Sequence, residues 1–584
     1  MFLNIISPCR KNREGICFPR FKKLTRGIRL NIREELLNIL INAKNTAIKA
    51  GELPDCDYPD IKIEYPREAK FGDYSTPFAL ESARIVKKSP METGKILKKY
   101  IENNNLVGSV DVVKPGFINI YISFEHLFSG IIKARKEGAN FGKSTKASPL
   151  YYNIEFVSAN PTGPLNIVSA RAAAIGDTIA NLLEANGDTV DREFYVNDYG
   201  NQVNLLGISV LERIKETRGE DFSFPDDGYH GEYVKEIASW IIENHSSELD
   251  SIKNTSQAIE FAAEKAVEYN VKSQKKDLED FHVIFKQWFH ESTIHASKDV
   301  LKTFDLLESK NFIYEEDGKK IFKSKDFGDD KDRVVIRDDG RPTYLLADVA
   351  YHNNKLKRGY DRVIDIWGPD HHGYIARLSG AVEALGYDRE KFKVLIAQQV
   401  NLIMEGEAVK MSKRLGNFST MRELIDEVGV DVSRYFFIMR SMDSHLDFDL
   451  GLAKKNSSEN PVFYLQYAHA RICSIFREAE KRGINYNPDM VSPELLNTPF
   501  AVTLMKQIVK FPEEIADAAE NFEPHRIASF LMKIAQSYHR FYTEQRILSD
   551  DITATRTYLL LSEAARIVIQ NGLKILGVSA PEVM

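Results

Sequence analysis

The sequence predicts a multidomain α/β protein: a small α+β unit, a parallel-sheet domain carrying a helical insertion, and an all-α bundle. Three observations predict it. The 584 residues are too many for one core. The strand-like run Tyr151–Phe156 passes through a Gly/Pro-rich loop into a helical period, which is how a nucleotide-binding parallel sheet opens. After Asp449 the apolar period is helical to the end, with no strand candidate of weight. Hydrophobic residues at 43% and charged residues at 28% are ordinary for a soluble globular chain. A net charge of −6 excludes a surface that attracts nucleic acid as a whole, so any RNA site must be a local basic patch. Cys9, Cys17, Cys56 and Cys473 are scattered, without a CxxC pair or nearby histidines. Neither zinc nor a disulfide framework is expected, which fits a reducing cytoplasm. No run of 18 apolar residues suggests a membrane span.

Residues 1–29 form a basic tail, expected to be disordered: eight Lys/Arg stand against Glu14, and the apolar stretch before Pro8 is too short for a signal peptide. Residues 30–125 make the α+β unit. Ile32, Leu36, Ile39, Leu40 and Ala43 share a helical face; Ile61–Tyr65 and Phe117–Tyr121 read as strands, and 78–88 and 91–102 as helices. A linker covers 126–149, rich in Gly, Lys and Ser from 137. The parallel-sheet domain spans 150–450. It starts with the strand at 151–156, the loop Ser158–Pro164, a helix over 170–185 and a strand at Glu193–Val196. Amphipathic stretches around 231–244, 256–270 and 276–300 define a helical insertion over 206–305. The sheet then resumes with Arg333–Arg337, Val363–Trp367 and Lys393–Ala397, and His352 falls on a helix. Residues 451–584 form the bundle, with helices around 500–521, 525–546 and 554–576.

Four stretches carry chemistry. Lys410-Met411-Ser412-Lys413-Arg414, between Gly406 and Gly416, reads as a mobile loop. Its two ammonium groups suit a polyphosphate whose leaving group gains charge; taken alone, it reads equally well as a solvated basic turn. Polar groups cluster at strand ends, where a doubly wound sheet binds its ligand: Ser158–Pro164 after the first strand, and Gly368-Pro369-Asp370-His371-His372 after another. Adjacent His371 and His372 point different ways, so no metal is expected there. Gln536–Tyr542 mixes aromatic and basic residues, as stacking on single-stranded RNA would require and as an amphipathic core helix would also show.

The chain resembles the class I aminoacyl-tRNA synthetases, and closely the arginyl-tRNA synthetases, from about residue 30 to 584. The resemblance rests on Glu155–Leu165, Asn197–Gln202, Thr343–Asp348, Trp367–Tyr374, Gly406–Arg414 and Gln466–Arg471, in that order. It implies a Rossmann-type catalytic domain that joins arginine to ATP and then passes it to tRNA(Arg). The N-terminal unit would touch the tRNA elbow, and the helical bundle would read the anticodon. Lys410, Ser412 and Lys413 would act on the phosphates. ATP, with Mg²⁺ accompanying it, would lie on Asn160, Pro161, Thr162, Gly163, Pro164, Leu165, Asn166, Ile167, Val168, Ser169, Gly368, Asp370, His372 and Met411. Glu155, Asn160, Tyr344 and Asp348 would hold L-arginine, which is chemically apt because carboxylates pair with a guanidinium fork and an aromatic face stacks on it. Phe71, Tyr74, Gln466, Arg471, Phe541, Tyr542 and Met584 would contact tRNA. The resemblance further implies a cytoplasmic monomer.

One stretch departs from the family. Where it places His-(Ile/Val)-Gly-His after Pro-Leu, this chain has Asn166-Ile167-Val168-Ser169. Two ring donors become an amide and a short hydroxyl, and a branched side chain stands where an adenine ring would lie on bare backbone. Ala172 replaces a further glycine, and Thr543–Ile547 and Pro581–Met584 differ from the family's usual Asn-x-Cys-Arg-Val and Pro-Glu-Arg-Met. On residue chemistry alone, restoring His, Gly and His is expected to speed the ATP step at least tenfold, roughly 1.4 kcal/mol. The alternative to a ligase is a non-catalytic relative that binds tRNA or arginine.

Overall fold

The computed structural model describes residues 31–102, 104–404, 407–408, 420–484 and 490–584. The basic tail and the residues Lys410, Met411, Ser412 and Lys413 lie outside the described residues.

The N-terminal unit begins with α1 (Ile32–Lys49), started by a reciprocal cap between Asn31 and Glu34 and buried along Leu36, Leu40 and Ala43. Ile61–Tyr65 is not a strand; only Glu64 bridges Ser75. Its alternating apolar residues pack on the core without a ladder. Next come β1 (Tyr74–Thr76), α2 (Phe78–Val86), α3 (Pro90–Ile101), β2 (Val107–Val113) and β3 (Phe117–Ile122). The sheet is antiparallel, in the order β1-β3-β2. The first half of the stretch read as a linker is helix α4 (Phe124–Glu137), capped by Ser123 and buried along Leu127, Ile131 and Ala134.

The central domain holds a five-stranded, all-parallel sheet. β4 (Tyr151–Glu155), α5 (Ile167–Ala185) and β5 (Thr189–Val196) open it. Helices α6 (Asn201–Arg218), α7 (Glu232–Ser251) and α8 (Thr255–Asp280) form the insertion. β6 (Gln287–His290) then returns to the sheet beside β5, inside the stretch read as helix. Four residues with Trp288 and Phe289 at their centre satisfy a helical period as easily as an alternating one, which is why the strand was illegible. After α9 (Glu291–Ala296) and α10 (Asp299–Ser309), β7 (Ile313–Glu316), β8 (Lys319–Phe322) and β9 (Arg333–Ile336) make a separate antiparallel sheet, so Arg333–Arg337 does not rejoin the central one. α11 (Tyr344–Lys357), β10 (Arg362–Trp367), α12 (Ile375–Leu385) and β11 (Phe392–Ile396) complete the order β11-β10-β4-β5-β6. β12 (Val400–Met404) pairs with β13 (Glu407–Ala408); after α13 (Met421–Val428) and α14 (Val430–Ile438), β14 (Leu446–Asp449) lies parallel to β12. Gly176 lets α5 lie directly on Phe156, because a Cβ there would fall 2.3 Å from the ring.

The short helix α15 (Leu450–Ala453) leads to the C-terminal bundle, α16 (Pro461–Lys481), α17 (Pro499–Asn521), α18 (His525–Glu544) and α19 (Ile552–Leu576). Two buried polar junctions lock the parts together. The Arg434 guanidinium donates to Asp177 of α5 (2.7 Å), to the Leu576 carbonyl of α19 and to the Phe281 carbonyl after α8, both at 2.9 Å. Glu513 of α17, 1% exposed, accepts from the Arg33 backbone N–H and the Tyr65 and Tyr74 hydroxyls of the N-terminal unit.

Candidate active site

The C-terminal ends of β4, β5 and β10 face one cleft, where a parallel sheet collects its ligand. Leaving β4, Val157 and Ser158 have φ of 71° and 41°. Two successive non-glycine residues in the left-handed region, one of them branched, mark a strained turn of the sort found at functional sites. Hydrogen bonds hold it there. The Ser158 hydroxyl donates to Glu155 at 2.8 Å and accepts from the Tyr195 backbone N–H at 3.1 Å. The insertion secures the rest of the loop: Gln274 donates to the carbonyls of Asn160 (3.2 Å) and Gly163 (2.8 Å), and Asn270 to that of Pro161 (2.8 Å). The Asn160 side chain donates to Gln202 of α6 at 2.8 Å.

One end of the cleft is a cavity of about 630 Å³, within the ordinary range for small-molecule sites. Its walls include Asn160, Thr162, Gly163, Pro164, Asn166, Val168, Ser169 and Gly368 from the sequence-based set, with Trp367, His371 and Gln398 added. Five residues of that set lie off the wall. Leu165 and Ile167, 1% and 0% exposed, are core residues. Pro161 is buried. His371, not His372, lines the wall, because successive residues of a tight helical turn face different ways. Asp370 is exposed and lies off the wall.

The altered motif has its own internal logic. Asn166 caps α5: its amide oxygen accepts from the Ser169 backbone N–H at 2.8 Å and from the Ser169 hydroxyl at 3.1 Å. The two residues that replace the family's histidines thus bond each other and start the helix whose N-terminus faces the cavity. Asn166 also bridges Thr420, and Leu165 accepts from the Met421 backbone N–H at 2.8 Å. The described residue that follows the lysine stretch is therefore pinned to the motif. Val168, 37% exposed, stands on the wall without filling the cavity. Arg171 is completely buried behind it, donating to the carbonyls of Gln398, Gln399, Ser441 and Ser444, and burial lowers its pKa to about 10.

The other end is acidic and buried. Glu155, 7% exposed, accepts from Lys355, from the Tyr351 hydroxyl at 2.8 Å and from Ser158. Lys355 also donates to Asp365 at 2.8 Å, and His352 meets Asp365 at 2.7 Å. Burial raises the Asp365 carboxyl, but Lys355 and His352 outweigh it and hold it down at about 2. Glu155 is raised by burial against the pull of Lys355. Asp348 accepts from Tyr374 at 2.5 Å and is raised to about 6, mainly by burial and further by Glu291 and Glu155. Glu291, at the junction of β6 and α9, is raised by burial to about 7. Sequence reasoning missed it because that junction had been read as continuous helix. Tyr344 stands 70% exposed at the rim. Glu155 is thus a carboxylate paired with Lys355, whereas Asp348 faces the neutral Tyr374 hydroxyl and Glu291 faces His295 at 3.4 Å.

The residues expected to meet RNA divide in the same way. Tyr74 and Phe541 are completely buried and serve their cores, a correction that follows from their apolar helix and strand faces. Phe71 is exposed with Lys70 over its ring, and Met584 is exposed. Gln466 ties α16 to Asp431 (2.8 Å) and Ser579. Arg471 lies 4.0 Å from the Tyr542 ring centroid, in a cavity of about 230 Å³ shared with Tyr464, Tyr467, Tyr538 and His539.

Three family models match the chain: the arginyl tRNA synthetase N terminal domain over residues 30–122, the catalytic domain of class I tRNA synthetases (R) over 143–439, and the DALR anticodon binding domain over 465–584. An arginine–tRNA ligase of Leptospira interrogans (serovar Lai) is 47% identical, covering 95% of this chain and 98% of the relative. One from Bacillus licheniformis is 42% identical over 95% of this chain and all of the relative. The solved arginyl-tRNA synthetase of Thermus thermophilus, 20% identical, superposes with a TM-score of 0.71 over 94% of this chain and all of that one, a likeness of fold.

Proposed function

Because the chain belongs to the arginyl-tRNA synthetases and is an arginine–tRNA ligase, we propose how its own residues divide that work. The acidic pocket takes the arginine side chain. Asp348 and Glu291, both held above the usual carboxylate range by burial, gain a counter-charge when a guanidinium enters. Their ionised forms then give the paired, charge-assisted hydrogen bonds that a neutral side chain cannot. Tyr344 covers the guanidinium from the rim, and Glu155, fixed by Lys355 and Tyr351, shapes the pocket floor. The raised Asp348 and Glu291 carboxyls, close to Glu155 whose partner Ser158 lines the cavity, carry the reading.

The cavity takes ATP, with Mg²⁺ as part of the substrate. Pyrophosphate leaves as the arginine carboxylate attacks the α-phosphorus, giving arginyl-adenylate; a ribose hydroxyl at the tRNA 3′ end then displaces AMP. The N-terminus of α5 offers backbone N–H groups and a positive dipole end to the phosphates. The Asn166 oxygen is spent on capping, so its NH₂ is the group that faces outward. Lys410 and Lys413 supply positive charge as pyrophosphate departs. tRNA(Arg) lies across the N-terminal unit near Phe71 and across the aromatic cavity around Arg471, where an unstacked base meets ring faces and a guanidinium. We place the enzyme in the cytoplasm, as a monomer.

Competition between arginine and citrulline in tRNA charging tests this reading. Citrulline has nearly the same shape and no charge. A site that pairs buried acids with the guanidinium favours arginine by roughly 10⁴-fold. Equal charging, or none with either, contradicts it.

A further inference from the structure

The helical insertion contributes two residues to the cavity that the division of work above leaves without a role: Tyr229 and Tyr233. Tyr229 is held by its backbone N–H, which donates to Ser209 of α6 at 2.9 Å; Tyr233 sits in the first turn of α7. Both rings are half-buried on the insertion core, so each is positioned and still presents surface. The phenol end of Tyr233 lies against Gly163: a Cβ there would stand 3.2 Å from its Cζ and 3.4 Å from its hydroxyl oxygen. The rings therefore border the same loop, Asn160 to Pro164, that reaches the reacting end of the cleft. Val168, Trp367 and Gly368 line the same cavity.

We propose that Tyr229 and Tyr233 form an aromatic platform that stacks an adenine ring against the Thr162–Gly163 side of the cleft. This rests on the cavity being the nucleotide site. Adenine reaches it from two sources, ATP and the 3′-terminal adenosine of tRNA, and each is a planar ring that a phenol face holds by stacking. Gly163 is the complement of the platform: its missing side chain lets the phenol settle onto the loop.

Equilibrium binding separates the sources and needs no turnover. ATP, a tRNA transcript ending in CCA and the same transcript ending in CC are titrated against the full chain and its Tyr229→Leu, Tyr233→Leu and Tyr233→Phe variants. Leucine fills space without stacking, whereas phenylalanine stacks. The leucine variants are expected to weaken an adenine-bearing ligand by roughly five- to hundredfold, and phenylalanine by less than twofold. A loss confined to ATP assigns the platform to the nucleotide; a loss of the CCA transcript's advantage over CC assigns it to the tRNA end. If leucine variants that unfold at the parental temperature bind all three ligands within twofold of the parent, or if phenylalanine loses as much as leucine, the platform is refuted. Binding without charging would instead leave it standing and contradict the ligase reading.

Discussion

The two ends of the cleft are built on different principles. The proposed arginine end depends on side chains: Glu155, Lys355, Asp365, His352 and Tyr351 interlock out of water beside the buried Glu291 and the half-buried Asp348. The proposed nucleotide end is open and depends mostly on backbone: a strained turn, a helix N-terminus and an Asn166–Ser169 pair whose hydrogen bonds serve the helix. Recognising one charged side chain takes fixed charges in fixed places. Holding a triphosphate takes N–H groups and a dipole, which every helix start provides. The second end therefore tolerates changes that the first would not. This explains how the chain can carry Asn-Ile-Val-Ser where its family has His-Ile-Gly-His and still belong to a family of ligases. The geometry lowers the gain expected from sequence alone, because reverting Asn166 and Ser169 also removes the cap of α5.

That contrast can be broken first at Lys355. Lys355→Met leaves Glu155 and Asp365 buried without their cation, which costs about 3–5 kcal/mol; thermal unfolding should shift well downward, and an unchanged transition would show the network to be slack. At the pocket itself, Asp348→Asn should cut kcat/KM for arginine about 30- to 3,000-fold, the equivalent of about 2–5 kcal/mol, with ATP binding unchanged. Acidity sharpens the contrast at one end only. Asp348 at about 6 and Glu291 at about 7 are protonated at low pH, so arginine affinity should rise with pH through that window, by at most about tenfold per unit for each group. The sign for stability is opposite in the free protein. These acids favour the fold below their ordinary range near pH 4, and that contribution fades as pH climbs through 6 to 7. Protection by arginine against heating should grow over the same window; a pH-independent effect would remove both acids from the pocket. The smallest effect belongs to the nucleotide end. Asn166→Ala loses a helix cap, about 1 kcal/mol, and kcat/KM for ATP should fall less than tenfold.

Much of this was legible, for identifiable reasons. β4, α5 and β10 announce themselves by long apolar runs ending in Gly/Pro loops, and the bundle by sustained period. β6 was not, since four residues carry no period, and Glu291 was lost with it. Helix α4 hid inside a segment whose Gly, Lys and Ser are densest just after its last turn. Tyr74 and Phe541 illustrate the general difficulty at the RNA-facing surfaces: sequence gives an aromatic residue, but only packing says whether its ring faces solvent. Asp348 could be named from sequence; that Tyr374 would hold it and Glu291 would raise it depended on residues far along the chain.

In the proposed mechanism the Asn166–Ser169 segment is a working start to the phosphate site. Arginine-dependent ATP–pyrophosphate exchange with tRNA present tests it most directly, run on the parent chain beside Asn166→His, Val168→Gly and Ser169→His combined. The account predicts clear exchange by the parent and less than a tenfold gain in the triple variant. A silent parent rescued by the histidines would contradict it.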